Sequence, residues 1–94
     1  MSLKFEWDRE KAKTNLNKHG ISFVEAATIF SDPFSITRND ALNSIEEERF
    51  LILGYSDRQR LLVVVYTDRG DNVRIISARI ATNRERKVYE EGIE

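Results

Sequence analysis

The first third of the chain begins with a short alternation and continues with helical spacing. Residues 3–7 alternate apolar and charged side chains, and this period of two predicts a short strand. Asp8 is placed to cap a helix that runs to about Lys18, and Gly20 behind it favours a left-handed helix stop. Helical spacing predicts a shared face for three residues, namely Ala12, Leu16 and His19.

A second helix is predicted directly behind the first. Residues 22–25 read Ser-Phe-Val-Glu, which is the pattern of a capping box. The helix is expected to end at residues 30–31, because Pro33 disfavours helical geometry in the residue before it. The connection at residues 20–21 is so short that the two helices must form a tight hairpin. The predicted buried stripe of the second helix is Phe23, Ala26, Ala27 and Phe30.

Strand-like runs follow the two helices. The predicted strands cover residues 34–38, 49–55, 61–67 and 73–79. The last three strands must form an antiparallel meander, because the links between them are only about four residues long. The polar and acidic segment 39–48 is predicted to be a loop. The strand at 61–67 is apolar on both faces, so we expect other elements to cover both.

Alternation along the last predicted strand assigns its side chains to two faces. Arg74, Ile76 and Ala78 are expected on one face, and Ser77 and Arg79 on the other. Arg79 ends the strand just before a helix start, where backbone N–H groups are free to bind an anion. Ser77, Arg79 and this helix start form a candidate anion site, unless Arg79 instead makes a salt bridge to the acidic loop.

The order of the elements predicts the fold class. A second capping box, at residues 82–85, starts a last helix that runs to about Glu91, before Gly92. The order is therefore β-α-α-β-β-β-β-α. We predict a single α+β domain over residues 1–94, with helices packed on an antiparallel sheet.

Composition restricts the chemistry that this chain can perform. The 94 residues include no cysteine and one histidine, which excludes thiolate chemistry, cysteine-ligated zinc and two-histidine sites. The four glycines are too scattered for a P-loop or a dinucleotide-binding loop, so we predict neither a cofactor nor a metal. No apolar run has the length of a membrane span, and residues 1–4 do not resemble a leader peptide. We therefore predict a cytoplasmic protein with no membrane contact.

Charge is distributed unevenly along the chain. The net charge is −1, but residues 57–87 carry eight basic side chains, seven of them arginines, against four acidic ones. Arginine matches the geometry of phosphate, so RNA or DNA is a candidate partner, and ordinary surface ion pairs are the alternative. The side chains predicted to contact an RNA backbone are Lys18, Arg58, Arg60, Arg74 and Arg86.

Three further residues are candidates for proton transfer or charge stabilisation. His19, at the end of the first helix, either stabilises a phosphate and donates a proton, or only caps the helix. Glu48 belongs to an acidic run that either supplies a base or is simply solvated. Tyr89, on the last helix, either shares the role of base or packs against the sheet.

Two ordered blocks of residues are more specific than these separate signals. The first comprises Phe5-Glu6-Trp7-Asp8, Lys11, Asn15, Lys18-His19-Gly20-Ile21, Phe23, Glu25-Ala26, Phe30 and Asp32-Pro33. The second comprises Arg74-Ile75-Ile76-Ser77-Ala78-Arg79, Ala81-Thr82, Glu85-Arg86 and Tyr89, with Glu47-Glu48-Arg49 and Gly54 between the blocks. In this order and spacing the residues resemble the BrnT family of toxins from type II toxin–antitoxin modules, over residues 4–89.

The resemblance implies a RelE-like fold and a ribonuclease that blocks translation and growth. It implies RNA as the substrate, free or on the ribosome, and a BrnA-like antitoxin that neutralises the toxin. The toxin–antitoxin complex represses its own operon, so operator DNA is contacted only through the antitoxin. Many relatives have a histidine where this chain has Asn43. The positions that match the family pattern best are His19, Arg49, Arg74, Arg79, Glu85, Arg86 and Tyr89.

These observations lead to the hypothesis of metal-free RNA cleavage. The ribose 2′-OH attacks the adjacent phosphate, and the protein positions the backbone, stabilises charge and assists proton transfer. Arg79 and a second arginine are predicted to hold the phosphate, with His19 as acid or stabiliser and Tyr89 or Glu48 as base. The predicted catalytic set is His19, Arg79, Arg49, Glu48 and Tyr89. The alternative is a catalytically inactive module that binds the antitoxin.

Overall fold

A five-stranded sheet with helices on both faces organises the chain, of which the computed structural model describes residues 3–92. The strands are β1 (Lys4–Trp7), β2 (Ile36–Asn39), β3 (Phe50–Tyr55), β4 (Leu61–Arg69) and β5 (Asn72–Ile80). The helices are α1 (Arg9–His19), α2 (Phe23–Thr28) and α3 (Asn83–Glu91), and 3-10 turns cover Ile29–Ser31 and Ala41–Asn43. The predicted α+β class and the predicted order of elements are confirmed. Within the described residues, no helix is long and apolar enough to cross a membrane.

The sheet contains one parallel pairing. Its order is β1-β5-β4-β3-β2, and β2 to β5 form an antiparallel meander. β1 joins the edge of β5 in parallel, with Phe5 opposite Val73 and Trp7 opposite Ile75. The expected antiparallel pairing therefore does not extend to β1. Short links fix the direction of strands that are neighbours in sequence, whereas β1 and β5 are separated by most of the chain.

A β-bulge interrupts the ladder between β4 and β5. Tyr66 lies opposite Ile75, and the adjacent Val65 lies opposite Ser77. Ile76 is therefore an extra residue in β5 that has no counterpart in β4. An extra residue reverses the alternation of side chains in the part of the strand behind it.

This reversal corrects the predicted faces of β5. Uninterrupted alternation placed Arg74 with Ala78 and apart from Arg79, and this prediction is wrong. Ala78 lies in the same buried cluster as Ile75. Arg79 lies opposite Val63 on the other face, which is also the face of Arg74. The bulge thus brings the two arginines to one surface.

Both faces of β4 are covered, as its apolar sequence predicts. On one face, α1 and α2 pack over a core that contains Leu62 and Val64. On the other face, α3 packs over a smaller core that contains Leu61 and Val63. The functional side chains discussed below are divided between these two sides of the sheet.

Helix α1 faces the sheet through a different residue than predicted. Ala12 packs against the larger core, but Leu16 is 50% exposed and His19 is exposed. The buried residue of α1 is instead Asn15. The predicted stripe of Ala12, Leu16 and His19 is therefore wrong beyond Ala12, because hydrophobic spacing cannot detect a buried amide.

Asn15 occupies the place of a neighbouring strand beside β5. β1 pairs with β5 only as far as Ile75. Beyond that point, Nδ2 of Asn15 donates to the carbonyl oxygen of Ala78 at 2.9 Å, and the N–H of Ala78 donates to Oδ1 at 3.0 Å. Nδ2 also donates to the carbonyl oxygen of Ile21 at 3.0 Å. One side-chain amide therefore satisfies both a donor and two acceptors of the buried backbone.

Glu25 joins α2 to the turn between β3 and β4. The N–H of Glu25 donates to Oγ of Ser22 at 3.0 Å, but the predicted capping box is incomplete because the carboxylate points elsewhere. Its oxygens accept hydrogen bonds from Ser56 Oγ at 2.6 Å and Arg60 Nε at 2.9 Å, and pair with Arg60 Nη2. The pKa of this carboxyl lies below its ordinary value of 4.5, mainly because of the hydrogen bonds from Arg60, although burial opposes the shift.

Replacement of Asn15 by alanine tests its role in the fold. Asn15→Ala leaves the buried N–H and carbonyl groups of Ala78 without partners, so we expect the free energy of unfolding to fall by about 3 kcal/mol. Urea denaturation followed by circular dichroism measures this change. Asn17→Ala, at an exposed position of the same helix, is the matched control and should change stability by less than about 0.5 kcal/mol. Equal losses in the two variants would show that Asn15 does not hold β5.

The pairing of Glu25 predicts a pH dependence of stability. Because its folded-state pKa lies below 4.5, its contribution is complete above that pH and is lost as the pH falls further. Glu25→Gln cannot ionise, so the advantage of the wild type over this variant should be large at about pH 7 and smaller at about pH 3. Chemical denaturation at both pH values measures it, with Glu10→Gln on the exposed side of α1 as control. An advantage that stays constant would contradict a role for the charged carboxylate.

Candidate functional site

Helix α3 covers only part of the sheet face on which it packs. The uncovered part of this face is rich in arginine. α3 covers the end of this face that carries Leu61 and Val63. Strand register and shared ion pairs place further arginines on the same side of the sheet. We call this surface the arginine face, and its arginines are Arg38, Arg49, Arg69, Arg74 and Arg79.

Arg79 is fixed by the first turn of α3. Its Nη1 and Nη2 donate to the two carboxylate oxygens of Glu85 at 2.8 and 2.9 Å, which is a bidentate pair. Glu85 also accepts the N–H of Thr82 at 2.8 Å and so completes the predicted capping box. The hydrogen bonds from Arg79 are the main reason that the pKa of Glu85 falls to about 2. The carboxylate that pairs with Arg79 therefore lies on α3 and not in the acidic segment 39–48.

Three other arginines of this face have carboxylates beside them. Nη1 of Arg74 donates to Glu6 on β1 at 2.9 Å. Glu47 lies 3.9 Å from Arg49 and 3.7 Å from Arg69. All of these side chains are partly exposed. Exposed ion pairs are weak, so an incoming phosphate can compete for these guanidinium groups.

Arg38 is, with Arg69, one of two arginines of this face that sequence analysis did not single out. It lies on β2 opposite Leu51 and is exposed. Among residues 3–92, no carboxylate lies within 4.0 Å of it. It lines a cavity of about 130 Å³ between the sheet and α3, together with Glu85 and Val88. Its position two residues after the buried Ile36 was the signal that could have assigned it to this face.

Tyr89, on the same helix as Glu85, is bound to Asp32. Its hydroxyl donates to Oδ2 of Asp32 at 2.6 Å, and the N–H of Tyr55 donates to the same oxygen at 2.8 Å. Burial, followed by the bond to Asp32, raises the pKa of Tyr89 to about 12. Burial also acts to raise the pKa of Asp32, but its hydrogen bonds outweigh burial and lower it. Tyr89 is consequently a neutral hydroxyl near pH 7.

His19 and Lys18 lie away from the arginine face. They are exposed at the end of α1, beside a hollow that Ile76 and Ser77 also line. α1 packs on the side of the sheet opposite α3, so His19 and Arg79 lie on different sides of β5. The predicted catalytic set is therefore divided between two surfaces.

The other predicted RNA-binding arginines are also dispersed. Arg60 is engaged by Glu25, and Arg58 is exposed in the turn between β3 and β4. Nη1 of Arg86 donates to the hydroxyl of Tyr55 at 3.0 Å. Of the five predicted RNA-binding side chains, Arg74 is the one that lies on the arginine face.

The acidic segment borders the arginine face at Arg49. Oε2 of the adjacent Glu48 accepts a hydrogen bond from Asn39 at 2.7 Å. Nδ2 of Asn43 donates to Asp40 at 3.1 Å. In the part of the chain that the structure describes, no three histidine, cysteine, aspartate or glutamate side chains are grouped to hold a metal ion.

Comparison with known proteins identifies the family. A family model described as the ribonuclease toxin BrnT of a type II toxin–antitoxin system matches residues 7–85. No curated protein sequence matches the chain. The fold is similar to the crystal structure of the Brucella abortus ribonuclease toxin BrnT, with a TM-score of 0.66 and 21% identity, covering 87% of this chain and 100% of that chain. Because the family model spans most of the sequence, the chain belongs to the BrnT family of ribonuclease toxins of type II toxin–antitoxin systems.

Proposed function

We propose that this toxin binds and cleaves RNA on the arginine face, and that cleavage needs no metal ion. The observation that supports the proposal is the gathering of five arginines on one open sheet face, with Arg79 held by Glu85. Guanidinium groups bind phosphate through both charge and directed N–H groups. The 2′-OH of a ribose attacks the adjacent phosphate, which forms a 2′,3′-cyclic phosphate and releases a fragment with a 5′-OH.

Arg79 is the proposed stabiliser of the charge that develops on the phosphate. A guanidinium has five N–H donors, and within the described residues three contacts of Arg79 are made to Glu85 and to the carbonyl oxygen of Ile80. The remaining donors are available to a phosphate. Because Glu85 already fixes the guanidinium, little reorganisation is needed when charge develops in the transition state. Arg38, Arg49 and Arg74 hold the flanking phosphates.

Water is the proposed acceptor of the 2′-OH proton, because none of the predicted bases suits the step at Arg79. The pKa of Glu85, about 2, makes that carboxylate too weak a base, and the pKa of Tyr89, about 12, leaves its hydroxyl protonated. Glu48 precedes Leu53, the β3 residue level with Arg79, by five residues, about 16 Å along the strand, so its carboxylate does not reach a phosphate bound at Arg79. His19, on the other side of β5, takes no part in the step at Arg79 under this proposal.

The biological role that we propose follows from membership of the family. Cleavage of messenger RNA, free or on the ribosome, inhibits translation and growth. A BrnA-like antitoxin neutralises the toxin in the cytoplasm, and the toxin reaches operator DNA only through that partner. The simplest form of neutralisation is an antitoxin that covers the arginine face, because RNA then cannot reach the phosphate-binding arginines.

A second candidate function is an inactive module that binds the antitoxin and catalyses nothing. Asn43 favours this alternative, because an amide cannot transfer protons as a histidine does and its Nδ2 is bound to Asp40. The carboxylates beside Arg74 and Arg79 also favour it, since they reduce the positive charge of the face.

Substitution of Arg79 separates the two functions. If Arg79 stabilises the transition state, Arg79→Ala should reduce cleavage of a mixed-sequence RNA in EDTA by about 100-fold. Mapping of the fragment ends should find cyclic phosphates with the wild type. Arg84→Ala, at an exposed site in the same turn of α3, is the control and should cleave normally. Intact RNA with folded wild-type protein, both alone and in a translation extract, would favour the inactive module.

Substitutions of Glu48 and His19 test whether the active site lies at Arg79. Glu48→Gln keeps the size of the side chain and removes its basicity, and we expect the cleavage rate to stay within about threefold of the wild type because the carboxylate lies far from Arg79. His19→Ala should leave the rate within about threefold of the wild type, because the imidazole lies across the sheet from Arg79. Single-turnover cleavage rates of both variants measure this. A large loss at His19 would place the active site at the end of α1, and a large loss at Glu48 would place it beside Arg49.

A further inference from the structure

An aromatic hollow lies at the other end of α3 from Arg79. It has a volume of about 530 Å³, and its lining includes Phe34, Ile36, Tyr55 and Tyr89. We call it the aromatic hollow. Three of these four side chains are aromatic rings, and neither the fold nor the proposed cleavage step accounts for an open site there.

The two tyrosine rings of the hollow are held in place. The hydroxyl of Tyr89 donates to Asp32 at 2.6 Å, and the hydroxyl of Tyr55 accepts from Arg86 at 3.0 Å. The rings meet edge to face, with their centroids 5.2 Å apart. Rings that are fixed before a ligand arrives lose little conformational entropy when they bind it.

The backbone around the hollow is fixed by the same carboxylate. Oδ1 of Asp32 accepts the N–H of Phe34 at 2.9 Å, and Oδ2 accepts the N–H of Tyr55 at 2.8 Å. A Cβ at Gly54 would lie 3.2 Å from Oδ2, so glycine at this position lets the carboxylate approach β3 closely. Asp32 therefore fixes the hydroxyl of Tyr89 and the backbone that carries Phe34 and Tyr55.

Phe34 is the unexplained side chain of this region. It is 75% exposed, although a phenylalanine usually contributes to stability by burial. Its backbone is held by Asp32, but its ring belongs to neither core. A large, exposed ring at the rim of a hollow with two other aromatic rings is an arrangement that stacks on a flat ligand.

The hollow continues into the arginine face. Ile36 lines both the aromatic hollow and the cavity at Arg38. Ile36 and Arg38 lie two residues apart on β2, a separation of about 7 Å along a strand. A phosphate at Arg38 therefore places the base of a neighbouring nucleotide within reach of the rings. Single-stranded nucleic acids are bound in this way, with cationic groups along the backbone and aromatic rings on the bases.

We propose that the aromatic hollow is a subsite for one unpaired nucleobase of the RNA that the arginine face binds. This inference rests on the proposed function, because it identifies the neighbouring phosphate with that of the RNA substrate. Arg38 beside the hollow suits the phosphate of a nucleotide, and Glu90 in its lining can accept hydrogen bonds from the N–H groups of a base, so a nucleotide fits better than an apolar protein segment. Phe34 stacks on the base, and Tyr55 and Tyr89 form the fixed part of the pocket.

Nucleotide titration of the complete chain tests the subsite. Adenosine and uridine monophosphates are added separately, and the aromatic NMR signals of Tyr55 and Tyr89 are followed. Ribose 5-phosphate, which has no base, is the ligand control. At least one nucleotide should shift these signals saturably, and ribose 5-phosphate should not. Phe34→Ala should weaken nucleotide binding about tenfold or more, and Val24→Ala, an exposed apolar residue on α2, should not change it.

Several results would overturn the proposal. Rings that do not respond to nucleotides, or that respond equally to ribose 5-phosphate, exclude a base subsite and leave the hollow as a surface for a protein partner. Wild-type affinity in Phe34→Ala excludes stacking on that ring. RNA cleavage with the wild type is measured in parallel. If the wild type cleaves RNA but binds no nucleotide in the hollow, the subsite is refuted and the proposed nuclease activity is not. If it binds nucleotides but cleaves no RNA, the proposed nuclease activity is refuted and the subsite is not.

Discussion

The side-chain amide of Asn15 is the interaction on which the geometry of this protein depends. It binds both backbone groups of Ala78, directly behind the bulge at Ile76 and beyond the end of β1. The backbone of β5 is therefore fixed at the point where its side chains change faces. Without this support the last residues of β5 would be an unpaired edge, and the orientation of Arg79 toward α3 would not be determined.

Fixed arginines carry a cost and a benefit for a phosphate-binding surface. A carboxylate beside a guanidinium reduces its net charge and competes with RNA for its donors. The same carboxylate holds the guanidinium in one orientation, and electrostatic catalysis depends on orientation that is established before the reaction. The bidentate pair of Arg79 and Glu85 favours orientation, whereas the longer contacts of Glu47 leave Arg49 and Arg69 freer to move.

Local signals in the sequence predicted the elements well, and they did not predict long-range pairing. Helix starts at Asp8 and Thr82 depend on hydrogen bonds between residues three apart, so the sequence alone contains the necessary information. The bulge at Ile76 depends on the register of two strands, and it decides that Arg74 and Arg79 share a face. Sequence patterns therefore identified Arg79 as a candidate. They could not show that Glu85 is its partner, or that Arg79 and His19 lie on different surfaces. Arg38 was missed because its signal was its spacing from Ile36, and the face on which Ile36 lies depends on how the strands pair.

The parallel pairing of β1 with β5 has a consequence for the synthesis of the protein. The partners in this pairing lie 68 positions apart in sequence, as Glu6 and Arg74 do, and Asn15 of α1 lies 63 positions from Ala78. Contacts between such distant segments form late in folding, because a long loop must close first. On the ribosome, β5 and α3 emerge after every other element, and Arg79 and Glu85 emerge with them. A nascent chain of this toxin thus lacks its assembled arginine face until β5 and α3 have emerged from the ribosome that made it.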